Sequence, residues 1–382
     1  TQGVSSAASD VYKRQLWDMA QSEGHIKNTQ FFTTFYANVK FLKHFSYDVN
    51  LNYKDYRYES MSVNTDYGKY SFSTDQWIAA PKDPADLYTR MAYVRENHWK
   101  LTHLLNYNQT FYKHDIGMLL GFEEERFVKR TTDTAKLGLI DSSVGDPSSA
   151  TTPSSIGGTG EEFTSRSYFG RINYAFDSRY LFEVNMRYDG SSRFPSGNRF
   201  GFFPSMSAGY RISEEPFMQS LKPYLSTLKI RGSWGMIGNQ DVGTDRYIST
   251  LSTSVDSWII DGKKVQSTQK PTIVSSTLTW EKVTTLDLGL DARFFNDALG
   301  VTFDWYNRTT SDILTTANLP ATLGADAPYE NMGTIQTKGW ELAIDYRHTF
   351  KNGLHFGVTA SVADDKTEVT KLSLIHISEP TR

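Results

Sequence analysis

Residues 285–295 read TLDLGLDARFF. Leu286, Leu288, Leu290, Ala292 and Phe294 fall on one side of an extended chain, and Asp287, Gly289, Asp291 and Arg293 on the other. A period of two is that of a β-strand with one apolar and one polar face. The next run repeats it, with Leu299, Val301, Phe303 and Trp305 against Gly300, Thr302, Asp304 and Tyr306. Further on, Trp340, Leu342, Ile344 and Tyr346 oppose Glu341, Ala343, Asp345 and Arg347, and Leu354, Phe356, Val358, Ala360 and Val362 oppose His355, Gly357, Thr359 and Ser361. Upstream, Tyr180, Phe182, Val184, Met186 and Tyr188 oppose Glu183, Asn185, Arg187 and Asp189. Such runs last about nine to eleven residues, enough for a tilted strand to cross a bilayer, whereas soluble strands average ~5–6. A soluble sandwich alternates as well, so length discriminates better than alternation.

Working outward, the pattern predicts twelve strands, near 30–42, 45–58, 95–111, 116–127, 165–176, 179–189, 200–212, 226–236, 283–295, 298–307, 338–350 and 353–364. Tight links join several pairs: Asp177-Ser178, Asn296-Asp297 and Asn352-Gly353, the last a strong hairpin signal. Long links, 59–94, 128–164, 237–282 and 308–337, separate the hairpins. Short and long links alternate, except that 213–225 is a medium link in a short position and 190–199 a modest one in a long position. Outer-membrane barrels have short periplasmic turns and longer outer loops, a parity that a soluble sandwich has no reason to keep. The Ser/Thr/Gly/Pro-rich stretch 141–162 (DSSVGDPSSATTPSSIGGTGEE) is expected to be a surface loop. The expected fold is therefore all-β: a partial antiparallel transmembrane β-barrel built as a meander of hairpins.

Composition agrees. Only 38% of the 382 residues are apolar, and mean hydropathy is −0.48. No apolar run approaches the ~20 residues of a spanning helix, which excludes a helical membrane protein and leaves a barrel open. Aromatic residues reach 14%, with 22 Tyr, 23 Phe and 8 Trp, as the girdles at two membrane interfaces require. The absence of cysteine excludes disulfides, thiolate metal sites and a cysteine nucleophile. A net charge of −3, from 40 basic and 43 acidic residues, gives no footprint for nucleic acid.

Residues 1–15 (TQGVSSAASDVYKRQ) and 373–382 (SLIHISEPTR) show no strand alternation, and the first has no signal-peptide pattern. Both read like translated sequencing-adapter segments from a metagenomic gene. On that reading the native stretch is 16–372, an internal fragment.

Residues 165–217, SRSYFGRINYAFDSRYLFEVNMRYDGSSRFPSGNRFGFFPSMSAGYRISEEPF, resemble a hallmark of SusC/RagA-type TonB-dependent outer-membrane transporters. The carriers are a YFGRINY strand, a DGSSRF tip, an FPS strand and an ISEE turn. LKIRGSWGMIGNQ (228–240), LTWEKVTTLDLGL (278–290), DWYNRTTSDIL (304–314) and NMGTIQTKGWE (331–341) follow in the family's order. The likeness is strong over 165–372 and weak over 16–164. It implies a plugged barrel of about 22 strands, of which twelve are about half. The plug and the TonB-contacting segment would precede residue 16, and the last strands would follow residue 372. It also implies import without covalent chemistry, a SusD-like surface lipoprotein as lid, TonB as the energy source, and an oligosaccharide or peptide as substrate. No enzyme activity and no cofactor are implied. A passive porin-like barrel is the alternative, and a soluble β-rich carbohydrate-binding protein or enzyme a more distant one.

Candidate site residues are few. Asp189, Arg193 and Arg199 flank the tip 190–198 and could touch substrate or brace the loop, while Gly190 and Gly197 allow tight turns. Trp77, Trp258 and Tyr329 lie in long links, where aromatic rings could stack on sugars or pack on one another. Arg171, Arg187, Asp287, Asp291, Arg293 and Arg347 take the polar parity and are expected to face the lumen, lining the path or pairing with a plug. His98 and His103, five apart, fall on opposite faces and make a poor metal pair. The run Glu123-Glu124-Glu125-Arg126 reads as a solvated strand end with a secondary chance of attracting cations.

Overall fold

A computed structural model describes residues 22–64, 70–71, 76–77, 84–140, 144–251, 253–268, 272–316 and 327–371. The two adapter-like segments lie outside these residues. In chain order the strands are β1 (Ser22–Phe41), β2 (Phe45–Asn64), β3 (Tyr70–Ser71), β4 (Gln76–Trp77), β5 (Tyr88–Phe111), β6 (His114–Leu139), β7 (Ala150–Phe176), β8 (Tyr180–Ser191), β9 (Phe200–Arg211), β10 (Leu225–Asn239), β11 (Thr253–Ile260), β12 (Lys263–Thr268), β13 (Glu281–Phe294), β14 (Leu299–Ser311), β15 (Leu314–Thr316), β16 (Tyr329–Asn331), β17 (Thr334–Thr349) and β18 (His355–Lys371). Twelve of them form one sheet in the order β1-β2-β5-β6-β7-β8-β9-β10-β13-β14-β17-β18, each beside its predecessor in the chain. The other six pair as three small ribbons, β3–β4, β11–β12 and β15–β16, inside the long links. By contacts the chain groups into two units: Thr1–Phe35, Leu51–Lys100 and Arg126–Glu162, and Tyr36–Asn50, Leu101–Glu125 and Phe163–Arg382.

Within the second unit the register aligns like with like. Ile230, Leu290, Phe303, Leu342 and Val362 form one row across five strands, and Gly232, Leu288, Trp305 and Trp340 the next. This apolar face is exposed: Leu288 keeps 50% of its accessible surface. Among the described residues the buried apolar clusters are small and lie toward the strand ends. One is Phe194, Phe203, Val242, Leu278 and Trp280; in the first unit the other is Val63, Leu87, Leu139 and Ala150. A sandwich would bury its apolar face under a second sheet. Here that face is left for lipid.

The turns follow from backbone chemistry. Asp177 and Ser178 both adopt positive φ, +51° and +54°, as a two-residue hairpin turn demands. The Asn352-Gly353 turn is wider than the expected two residues. Phe350 and Leu354 close the hairpin (Phe350 N to Leu354 O, 2.8 Å), and Gly353 sits at φ +85° in a three-residue loop.

The long links are shorter than the pattern predicts, because the first strands run on. β1, β2, β5, β6 and β7 span 20 to 27 residues. The predicted loop 141–162 is a correction: from Ala150 onward it is strand. Thr151 Oγ1 donates to Gly138 O, Ser155 Oγ to Asp133 Oδ2, and Arg126 pairs with Glu162 at 2.8 Å across the hairpin. Only about ten residues per strand are needed to cross a bilayer. Beyond it both faces meet water, the period-two signal vanishes, and Ser/Thr/Gly-rich strand reads as loop.

The face assignment makes a direct prediction. Leu288→Arg is expected to destabilise the folded full chain by roughly 2–4 kcal/mol, as a charge on the lipid face near the midplane does. Asp287→Asn, on the opposite face, should cost well under half of that. Folding titrations in lipid vesicles measure both, and equal costs would reverse the assignment.

Candidate functional site

The polar face of the sheet carries its charges in cross-strand networks. On β10 the Arg231 guanidinium faces three carboxylates: Asp304 at 2.7 Å, Asp291 at 3.2 Å and Asp287 at 3.3 Å. The register explains the convergence. Arg231 lies opposite Gly289 of β13, which lies opposite Asp304 of β14, while Asp287 and Asp291 flank Gly289 on the same face. Glycine leaves the space: a Cβ at residue 289 would stand 2.4 Å from Arg231 Cζ. Two strands on, Asp345 of β17 holds Arg293 of β13 at 3.3 Å and Arg347 at 3.4 Å, and Gly300 leaves room for its carboxylate in the same way.

On β7 and β8 the pattern recurs. Arg187 binds Asp189 through Nε at 2.7 Å, donates to Ser167 Oγ at 3.0 Å, reaches Glu123 at 3.5 Å and lies 5.0 Å over the Phe169 ring. Arg171 donates to Asn185 Oδ1 at 2.8 Å. Glu124 pairs with Arg166 and Glu125 with Ser165, so the acidic run of β6 is engaged by its neighbours. Between the two networks the polar face has a depression of about 540 Å³, lined by Asn108, Asn173, Glu183, Ser207, Lys229 and Ser233 among others. Small neutral and amide side chains dominate it. Among the described residues no three His, Asp or Glu side chains converge as a metal site would require.

The other candidates do not meet at one place. Arg193 stacks 4.4 Å from the Phe163 ring and donates to Gln240 O. Arg199 donates to Phe194 O and accepts through its own carbonyl from Trp280 Nε1 at 2.9 Å. Both brace the small core around Phe194 and Trp280. Tyr329 packs against that core with Arg246 over its ring at 4.8 Å. Next to it the Asn331 amide accepts from Thr279 N and donates to Thr279 O and Asp312 O, clamping two links together. Trp258 stands on β11 with 74% of its surface exposed, beside exposed Ile259 and Ile260. Trp77 pairs with Tyr70 in the β3–β4 ribbon, and its side chain lies outside the described set.

Two residues escaped the sequence reading. Arg231 had the needed signal, since it shares parity with Lys229 and Ser233 in β10 and alternates with Ile230. Glu215 had none. It follows β9 in a turn of two 3-10 segments, Ile212–Glu214 and Pro216–Leu221, and accepts from Arg179 Nη1 (2.7 Å), Tyr180 (2.8 Å) and Tyr210 (3.1 Å), whose rings stack at 5.0 Å. The Tyr180 hydroxyl above all, with Tyr210 and Arg179, holds the Glu215 carboxyl below the usual glutamate range.

An antiparallel meander with an exposed apolar face, and charges paired across the opposite face, is the wall of a transmembrane β-barrel. The family described as "TonB dependent receptor-like, beta-barrel" matches residues 2–374, and the chain belongs to it. It is an outer-membrane β-barrel chain, and the curated proteins it resembles are TonB-dependent receptors. The TonB-dependent receptor SusC of Bacteroides thetaiotaomicron is 34% identical over 216 residues, 54% of this chain and 21% of that protein. The TonB-dependent receptor P26 of Formosa agariphila is 31% identical over 213 residues, 55% of this chain and 21% of that protein. The RagAB peptide transporter shares the fold at a TM-score of 0.82 and 22% identity, over 93% of this chain and 38% of that one. The chain thus spans about a fifth of the length of those curated relatives, 21% in each case.

Arg231→Met would leave three carboxylates facing one another, and an expected loss of roughly 1–3 kcal/mol follows from partly screened like charges. Adding Asp304→Asn should recover part of it, as a double-mutant cycle on the full chain in vesicles would show. Glu215 gives a pH prediction. Its folded pKa lies below its unfolded value, so its contribution is whole above the ordinary glutamate pKa and disappears as pH falls through the folded one. Melting temperature should therefore fall on the acid side more steeply for the native chain than for Glu215→Gln, and parallel curves would remove Glu215 from the linkage.

Proposed function

We propose that this chain is the barrel part of an active nutrient importer of the outer membrane, worked by TonB and covered by a SusD-like surface lipoprotein, with an oligosaccharide or peptide as substrate. The observation that carries this reading is the division of the sheet into an exposed apolar face and a charge-paired polar face, in a chain whose curated relatives are TonB-dependent receptors. On this reading the polar face, with Arg171, Arg187, Asp287, Asp291, Arg293 and Arg347, lines the lumen. Arg187, Arg231 and Arg293 are paired with carboxylates of the same wall, which lets those parts of the wall hold their shape when a plug moves. The depression beside the Arg231 network offers a passing substrate amide and hydroxyl groups from Asn108, Asn173, Ser207 and Ser233 together with the charges of Glu183 and Lys229, a mixed polar lining that suits sugar hydroxyls and peptide backbones.

Peptide transport by the RagAB complex supports the peptide arm. Exposed Trp258 supports the sugar arm, since an indole face suits the apolar face of a pyranose. Uptake of labelled oligosaccharides and peptides by cells carrying the full-length protein is the test. Uptake should stop when TonB is deleted and fall when the neighbouring lipoprotein gene is removed. Uptake that persists without TonB would identify a passive pore instead.

A further inference from the structure

The unit formed by β1, the outer parts of β2 and β5, and the β6–β7 hairpin has a cleft of about 490 Å³ lined by Lys27, Arg57, Arg95, Arg130, Glu59 and Tyr93. Arg57 and Arg95 share Asp55, at 2.8 Å and 3.3 Å, and Asn97 donates to the same carboxylate at 2.8 Å. Asp55 is nearly buried and so fixes two guanidinium groups side by side, both more than half exposed. Glu59 is engaged by His25. Lys27 and Arg130 have no carboxylate within ion-pair distance among the described residues. Arg130 lies over Gly160 of β7, where a Cβ would stand 2.0 Å from Nη1, so the glycine makes its seat. Four cations thus meet two carboxylates, one already shared.

The face on which this happens decides the ligand. The Phe31 ring lies 6.5 Å from that of Tyr53, the Tyr53 hydroxyl accepts from Asn97, and Asn97 leads to Asp55 and the two arginines. All share one face of β1, β2 and β5. On β1 the same parity runs Phe35, Phe31, Lys27, and on β2 it runs Leu51, Tyr53, Asp55, Arg57. Phe31 and Phe35 are 58% and 65% exposed. The Lys129–Glu96 pair and the Thr34–Asn52 hydrogen bond occupy the other parity. From exposed apolar groups through aromatics to cations is the order met on leaving hydrocarbon for headgroups. Lys27 also lies toward the long-link end of β1, away from the tight turn after Phe41, which in an outer-membrane barrel is the outer leaflet's side.

We propose that this cleft seats the phosphate groups of an anionic glycolipid of the outer leaflet, with its acyl chains along Phe31, Phe35 and Leu51. Arg57 and Arg95 present paired N–H donors to phosphate oxygens, and Lys27 and Arg130 supply charge that no carboxylate among the described residues consumes. The site needs only the membrane location of the barrel and is independent of what the barrel carries.

The full chain, purified in detergent, is titrated with a bisphosphorylated lipid A-type glycolipid, with its dephosphorylated counterpart and with inorganic phosphate. Native mass spectrometry and melting temperature are the readouts. The variant is Lys27→Gln with Arg130→Gln, which strands no carboxylate, and heat-modifiable gel migration checks its fold. The bisphosphorylated lipid should bind and raise the melting temperature. The double variant should bind it about tenfold more weakly or worse, as the loss of two charge-assisted contacts implies, and Lys27→Gln alone should show part of that loss. Equal binding by native chain and folded double variant would overturn the site. Equal binding of the dephosphorylated lipid would overturn phosphate recognition. Displacement by inorganic phosphate at the same concentration would make it a free-anion site and overturn the lipid assignment.

Discussion

Backbone hydrogen bonding in hydrocarbon governs everything else in this structure. Where no water is available, each peptide N–H and C=O must find a partner inside the protein, and between strands that partner is the adjacent chain. A meander in which every sheet strand lies beside its predecessor satisfies this with short turns on one side. The side chains are then left with two faces, one toward lipid and one away from it. The apolar residues have no interior to fill, and so the described residues bury only small clusters near the strand ends. The same constraint acts on the edges. Among the described residues β1 and β18 each have one neighbour in the sheet.

Confining charge to one face sets a second problem, which the wall solves with rows of arginine, aspartate and glycine. Arg231 reaches three carboxylates because Gly289 lets it lie flat across β13, and Asp345 lies over Gly300 on β14 in the same manner. A bulky residue at either glycine would lift the charged groups off the wall. The glycines in these strands thus belong to the electrostatics, since neither residue 289 nor residue 300 has a positive φ that would demand one.

The amino-acid sequence reveals those parts of the fold on which the bilayer acts. Period-two runs such as 285–295 locate each of the twelve sheet strands, because lipid on one side forces alternation. Register follows less directly: a two-residue turn at Asn352-Gly353 would set Lys351 opposite Leu354, whereas Thr349 lies opposite His355. Outside the bilayer that force is absent. Residues 150–162 have no apolar face to keep, so their strand is invisible in the pattern and becomes apparent only through contacts such as Ser155 with Asp133. Site residues divide on the same principle. The placing of Arg171, Arg187, Asp287, Asp291, Arg293 and Arg347 on the polar face follows from parity, and parity was equally available for Arg231. The Glu215 cluster depends on a turn folding back on two strands, and no local period encodes it.

The residues that carry the family likeness prove to be scaffolding. Phe194 and Arg199 of the tip, Trp280 at the start of β13 and Asn331 of the NMG segment build one loop core, with Trp280 bonded to Arg199 and Asn331 clamping the links around Thr279 and Asp312. Glu215 of the ISEE turn ties two tyrosines and an arginine. Trp280 Nε1, the Asn331 amide and the Glu215 carboxylate are engaged inside the protein. Motifs of this kind mark membership because a barrel wall of this shape needs them, whatever it transports. The exposed Trp258, on β11 within the 240–280 link, lies outside these motifs, whereas the depression beside Arg231 is lined largely by motif residues such as Asn173, Lys229 and Ser233.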